Sequence, residues 1–253
     1  MARYFLEVAY NGTNYSGFQI QQNANTIQGE VEKALQILLR IPPPIFGDIE
    51  KGLLTGSSRT DAGVHALQNF FHFDYNTEIV PSFIYKINAL LPADIAVKRI
   101  LLVPDNAHAR FDAIAREYEY RIYKFKNPFQ YGVGYYYPYK MNLDLLHHAT
   151  SFILSQKNFF AFTKTNTDVK HFGCTIYKCE WKAKNDKLIF TIQANRFLRG
   201  MVRLLTASLL QVARTKMPIE HFYSLFNSTE KCGVSVPAQG LTLTRVIYKD
   251  FEK

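Results

Sequence analysis

The stretch from Gly56 to Ala66, GSSRTDAGVHA, brings one carboxylate and one guanidinium together among small polar residues. Asp61 follows Arg59 by two positions, so a cation stands beside a group that can attack carbon or accept a proton. The bland account of the same residues is a turn, with Asp61 before Ala62-Gly63 capping the local backbone, and most Asp-x-Gly turns do only that. The loop's position favours the chemical account. It lies between two strand patterns, where a rigid sheet commonly presents functional side chains.

Two further groups could act on a substrate. Arg196, Arg199 and Arg203 stand at i, i+3 and i+7, so in a helix they share one face, with Phe197, Met201, Leu204, Leu205 and Val212 on another. Such a face either holds phosphates or is simply solvated. Tyr118 and Tyr120 alternate on one face of a strand pattern, where most tyrosines pack and some stack on a ligand. The seven histidines show no metal-ligand or triad spacing, and Cys174, Cys179 and Cys232 form neither a disulfide framework nor a zinc pattern. The absence of a P-loop, a dinucleotide fingerprint and a Gly-x-Ser-x-Gly elbow argues against ATP, NAD and covalent serine catalysis.

These residues need elements to hold them. Residues 3 to 10 alternate as a strand, with Tyr4, Leu6, Val8 and Tyr10 on one side, ending at Asn11-Gly12. Ile27, Val31, Ala34, Leu35, Leu38 and Leu39 follow at helical spacing behind a cap at Asn25 or Thr26, and Pro42 to Pro44 stop that helix. Leu53 to Ser58 and Leu67 to Phe73 are strands on either side of the Asp61 loop. Pro81 opens a helix with an apolar stripe of Ile84, Ile87, Leu90 and Leu91, and Ile95 to Val103 returns as a strand. The second half predicts a strand over Arg116 to Lys124 and a helix over Asn142 to Ser155. A hairpin follows, Cys174 to Ala183 and Lys187 to Ala194, turning at Asn185-Asp186. The chain continues with a long helix from about Arg196 to Arg214, a short one at Pro218 and a strand over Leu241 to Tyr248. Strands and helices interleave in both halves, which predicts an α+β fold of two similar sheet-and-helix domains, 1–105 and 106–253.

The chain has 253 residues, enough for two modest cores, and 47% hydrophobic residues exclude a disordered protein. A formal charge of +9 with 15% aromatic residues suits RNA, whose phosphates need cations and whose unstacked bases need flat rings. No apolar run reaches the length of a membrane span, and MARYFLEVAY enters a strand pattern directly, so a soluble, cytoplasmic protein is expected.

Five segments together resemble TruA-type tRNA pseudouridine synthases: YNGTNYSGFQIQ from Tyr10, SSRTDAGVHA from Ser57, HARFDAIAREYEY from His108, NRFLRGMVRLL from Asn195 and PAQGLTLTRVIY from Pro237. They occur in the family's order and bracket nearly the whole chain. The resemblance implies isomerisation of uridine to pseudouridine at nucleotides 38, 39 and 40 of the tRNA anticodon arm. It also implies two RRM-like (ferredoxin-like) domains with a basic cleft between them, and a homodimer. By position Asp61 matches the family's essential aspartate and Arg59 the arginine before it. Tyr118 matches the active-site tyrosine, Arg203 the arginine of the MVR helix, and Leu241 or Leu243 the apolar residue of the last motif. Asn11, Phe18, Ala207 and Ala213 depart from residues common in the family, none at a position with a chemical role.

Substrate and product of that reaction are isomers, so neither a cofactor nor a metal is required. Arg59 would fill the space a flipped base leaves, Tyr118 would stack on the uracil, and Leu241 or Leu243 would wall the pocket. Arg196 and Arg199 would hold the tRNA backbone. Arg203, at the edge of its helix's apolar stripe, calls for a carboxylate partner, and the resemblance points to Asp61. Two rivals are a non-catalytic RNA-binding protein, for which Asp61 would be dispensable, and a glycosidic-bond hydrolase, which would want a second carboxylate.

Overall fold

A computed structural model describes residues 1–41, 52–164 and 171–249. Pro42 to Pro44, expected to stop the first helix, lie outside the described residues. The elements in order are β1 (Ala2–Tyr10), α1 (Ile27–Leu39), β2 (Thr55–Gly56), β3 (His65–Tyr75), α2 (Phe83–Leu90), β4 (Ile95–Val103) and β5 (Ala113–Tyr123). They continue with β6 (Tyr135–Tyr136), α3 (Leu143–Ile153), β7 (Ile176–Lys184), β8 (Lys187–Ala194), α4 (Met201–Ala213), α5 (Ile219–Ser224) and β9 (Leu241–Tyr248). The chain is therefore α+β with mixed strand pairing, and it divides into two compact units. One is Met1–Ile114 together with the stretch from Leu243 onward; the other is Ala115–Thr242.

In the first unit β1 is a central strand, antiparallel to β4 on one side and to β3 on the other, with β2 and β9 also beside β3. The alternation that predicts β1 holds, but both of its faces are covered: Phe5 and Glu7 are as buried as Leu6 and Val8. A buried carboxylate must be paired, and Glu7 meets Arg99 Nε at 2.5 Å and Lys98 Nζ at 3.9 Å from β4. Helix α1 starts where the capping rule puts it, with the Thr26 hydroxyl accepting from Gly29 N at 3.2 Å. Its stripe buries Ile27, Val31, Ala34 and Leu35, while Leu38 and Leu39 are half-buried. In α2 the buried residues are Phe83 and Ile87, and Leu91 just beyond it is buried too, whereas Ile84 is half-buried and Leu90 exposed. The expected stripe thus holds at Ile87 and Leu91 and takes Phe83 in place of Ile84. The strand expected over Leu53 to Ser58 shrinks to two paired residues, and β3 starts earlier than expected, at His65.

In the second unit β8 lies between β5 and β7, antiparallel to both, and β6 runs parallel to β5. The β7–β8 hairpin turns at Asn185, whose φ of 56° lies in the left-handed region that asparagine tolerates. Asn142 caps α3 by accepting from Leu145 N at 3.1 Å. The helix expected from Arg196 begins only at Met201. Gly200 has a φ of 75°, which a helix interior does not allow, and the Asn195 side chain accepts from Thr175 N and Arg196 N, folding the preceding residues into a turn. Arg196 and Arg199 therefore precede the helix and do not share a helical face with Arg203. The Arg196 guanidinium lies 3.0 Å from His171 Nε2.

His72, on β3, gives the first unit a pH dependence. Its Nδ1 accepts the Ala109 N–H at 3.1 Å, and burial, His108 and Arg3 together push its pKa down to about 4 against the opposing pull of Asp74 and Asp112. The folded state thus holds the neutral imidazole, whereas the unfolded chain takes up a proton near pH 6.5. This contribution to stability is complete above pH 6.5 and is lost as pH falls towards 4, a difference of up to about 3 kcal/mol. We expect His72→Asn, which retains an acceptor near the Nδ1 position, to flatten the fall in melting temperature between those pH values relative to the unmodified protein. Parallel melting profiles would show that His72 is not the group responsible.

Candidate active site

The Asp61 loop is built on a buried polar framework. Residue Asn69, a fully buried amide in β3, accepts from Ser57 Oγ at 2.6 Å and from Phe70 N at 2.9 Å. Its amide nitrogen donates to Ser58 O at 2.9 Å and to Tyr10 Oη at 3.2 Å. Tyr10 in turn lies 2.8 Å from Thr60 Oγ1. Ser57, Ser58 and Thr60 are buried, whereas Arg59 is exposed and Asp61 is half-exposed at the turn. The loop thus fixes three small hydroxyl residues below and turns the two charged groups towards solvent. Backbone bonding from Val64 N to Asp61 O at 3.1 Å closes the turn, and Gly63 takes a φ of 76° that a side chain would resist.

A second loop, from Asn11 to Phe18, presses on the first. Phe18 N donates to Thr60 O at 3.1 Å, Gly63 N donates to Tyr15 O at 3.3 Å, and Gly12 N donates to His65 Nδ1 at 3.0 Å. A Cβ on Gly12 would stand 2.1 Å from Val64 O, so only glycine allows this approach. The Phe18 ring stacks on Phe71 with centroids 4.6 Å apart. Sequence patterns read Tyr10 and Asn11 as the end of a strand and its turn and, with Phe18, as parts of a motif, but not as supports of this loop. Asn69 passes unnoticed, although an amide directly before the aromatic pair Phe70-Phe71 of a strand pattern is the signal that could have found it.

The second unit holds the other candidates. Tyr118 is buried on β5 opposite Ile192, with the Phe197 ring edge-on at 5.0 Å. Its face-mate Tyr120 is a packing residue: the hydroxyl donates to Pro237 O at 2.8 Å, and the ring lies so close to Gly240 that a Cβ there would meet it at 2.5 Å. Burial raises the Tyr120 hydroxyl's pKa well above its usual value. Arg203 is half-buried in the first turn of α4, its Nε donating to Val236 O at 2.9 Å. Leu241 is buried in this unit, and Leu243 is buried in the first. On the side of β5 away from Tyr118, Glu117 is paired with Lys178 at 3.4 Å and Glu119 with Arg121 at 2.8 Å. Both carboxylates therefore have structural work to do, which disfavours them as the second acid of a hydrolase. No helix among the described residues is long and apolar enough to cross a membrane.

Comparison with known proteins adds sequence relationships to this geometry. The family model described as tRNA pseudouridine synthase matches residues 156–249. The chain is 40% identical to tRNA pseudouridine synthase A of Parabacteroides distasonis, in an alignment covering 99% of this chain and 97% of that one. It is 38% identical to the protein of the same name from Bacteroides thetaiotaomicron, covering 99% and 92%. The corresponding Staphylococcus aureus (strain JH1) protein is 34% identical, again covering 99% and 92%.

Proposed function

Because the chain belongs to the tRNA pseudouridine synthase A family and is thus an isomerase acting on tRNA uridine, we propose that it acts in the anticodon arm, at nucleotides 38, 39 and 40, with Asp61 as the essential carboxylate. The observation that supports this reading is the Asp61 loop itself. Its buried framework of Asn69, Ser57, Ser58 and Thr60 holds the backbone, leaving the carboxylate half-exposed. A turn that served only to reverse the chain would not need so many satisfied buried groups.

The reaction breaks the bond between uracil N1 and the ribose anomeric carbon, rotates the base, joins C5 to that carbon, and moves the C5 proton to solvent while N1 regains one. Atoms and electrons balance without a redox partner. Asp61 either attacks the sugar or removes a ribose proton. Extruding the target base costs a few kcal/mol. In this proposal Arg59 occupies the vacated space, Tyr118 stacks on the uracil, and Leu241 or Leu243 excludes water. Arg203 pairs with Asp61 and keeps it oriented, while Arg196 and Arg199 bind the tRNA backbone. The proposal includes two RRM-like domains facing a basic cleft. Within the first unit the order β4-β1-β3-β2 with two helices accords with that fold. It also includes a homodimer and a cytoplasmic location.

The test is incubation with an unmodified tRNA transcript, followed by nucleoside analysis. Pseudouridine should form, and should vanish from a transcript carrying cytidine at 38, 39 and 40. Product persisting in that transcript would overturn the positional assignment, and no product in either would overturn the activity. Tyr118→Phe separates ring from hydroxyl. We expect tRNA binding to persist and the single-turnover rate to fall by about 10-fold or more if the hydroxyl moves a proton. A rate unaffected by Phe and lost with Ala would assign stacking alone, and equal tolerance of both would make Tyr118 a packing residue.

A further inference from the structure

We infer that Tyr15 and Asp94 are positioning residues for catalysis, holding the Asp61 turn through the bond between their side chains, outside the loop. The inference rests on the proposal that Asp61 is the catalytic carboxylate. Tyr15 is 5% exposed, and its hydroxyl donates to Asp94 Oδ1 at 2.5 Å. The carbonyl of the same tyrosine accepts Gly63 N at 3.3 Å, two residues from Asp61. Its own N–H donates to Gly12 O at 3.0 Å, so the ring and both sides of its backbone are fixed. Asp94 is tied to the same loop at two more points: Oδ2 accepts from Asn14 Nδ2 at 3.3 Å, and its carbonyl accepts from Asn11 N at 2.9 Å.

The bond is charge-assisted, a phenol hydroxyl on a carboxylate, and so is stronger and more directional than a neutral one. Burial, with help from Asp94, keeps the phenol protonated and able to donate. The Asp61 turn has left-handed Gly63 as its pivot and the Tyr15 carbonyl as its external stop. A shift of Tyr15 therefore rotates the peptide that carries Asp61. Displacement of a reacting group by about 1 Å can cost about 100-fold in rate. Neither Tyr15 nor Asp94 needs to touch RNA for this effect, which distinguishes them from binding residues.

Tyr15→Phe preserves shape and removes the donor of the bond, and Asp94→Asn preserves shape but leaves only a neutral amide oxygen to accept it. With unmodified tRNA transcript and enzyme in excess, we expect each to slow the single-turnover rate by about 10- to 100-fold, with tRNA affinity within about twofold of the unmodified protein. The double variant should be no slower than Tyr15→Phe by more than about twofold, because once the hydroxyl is gone the charge on its acceptor no longer matters to that bond. Asp94→Glu should recover part of the rate. If Asp94→Asn does not fold, Tyr15→Phe carries the test alone, since its ring packing is intact. Rates within about twofold of the unmodified protein, losses that multiply in the double variant, or weakened tRNA binding with an unchanged bound-state rate would each overturn the inference. Asp61→Asn assayed alongside separates the two levels: if it remains active, the catalytic assignment fails, whereas an inactive Asp61→Asn beside fully active Tyr15→Phe and Asp94→Asn defeats only the positioning role.

Discussion

Asp61→Asn is expected to fold, bind tRNA and lose pseudouridine formation by at least about 1,000-fold. The amide matches the carboxylate in shape but has neither its charge nor its basicity. The loop should not collapse, because the bonds described within it run through the backbone or through other side chains: Val64 N to Asp61 O, Gly63 N to Tyr15 O, and Asn69 to Ser57 and Ser58. Stability should therefore fall by no more than about 1–2 kcal/mol, as for an isosteric change at a half-exposed position. The measurements are nucleoside analysis of the reacted tRNA, filter binding and a melting curve. Product at close to the unmodified rate would remove Asp61 from the chemistry and revive a non-catalytic RNA-binding account.

Arg203→Met should be the next most damaging change, slowing the bound-state reaction by about 100-fold or more, as expected when a charge-stabilising group is removed. A guanidinium can fork onto both oxygens of a carboxylate, and methionine keeps the bulk of its stem without the cation. Arg203→Lys should recover only part of the rate, since an ammonium is a point charge without that fork. Both variants also lose the Nε donor to Val236 O, so each should cost about 1 kcal/mol of stability through the carbonyl left behind. Rates must therefore be compared well below the melting temperature. If Arg203→Met weakens tRNA binding while the bound-state rate is unchanged, Arg203 is a phosphate contact and not the partner of Asp61.

Local periodicity made much of the scaffold legible. Alternation found β1 to within a residue and β4 and β9 at their observed limits, and the Asn185-Asp186 turn identified the β7–β8 hairpin. Failures came where one residue overrides a pattern. Gly200 in the left-handed region cuts off a helix that apolar spacing extends back to Arg196, and with it the shared basic face. Phe83 takes the buried position that spacing assigns to Ile84. The Asp61 loop was conspicuous as a motif, but what holds it was not. Asn69, Tyr10 and the Tyr15–Asp94 bond join residues far apart in the chain, and no local period records such pairings. Glu7 illustrates the same limit: an acidic residue in an alternating strand reads as solvent-facing until Arg99 from β4 covers it.

The placement of β9 beside β3 has a consequence for how the chain acquires its structure during synthesis. The first unit consists of Met1–Ile114 and the stretch from Leu243 onward, and the whole of the second unit lies between them in sequence. As the chain leaves the ribosome, β1, β3 and β4 can pair early, but the flank of β3 that receives β9 has only the two residues of β2 to pair with until Leu243 to Tyr248 emerge. An open strand edge can join the edge of another nascent chain. Long-range pairing of this kind is also slow, because the closure entropy must be met before the contact stabilises anything. The second unit is contiguous but ends only at Thr242, so the first, which carries Asp61, stays unfinished until the whole of the second has emerged.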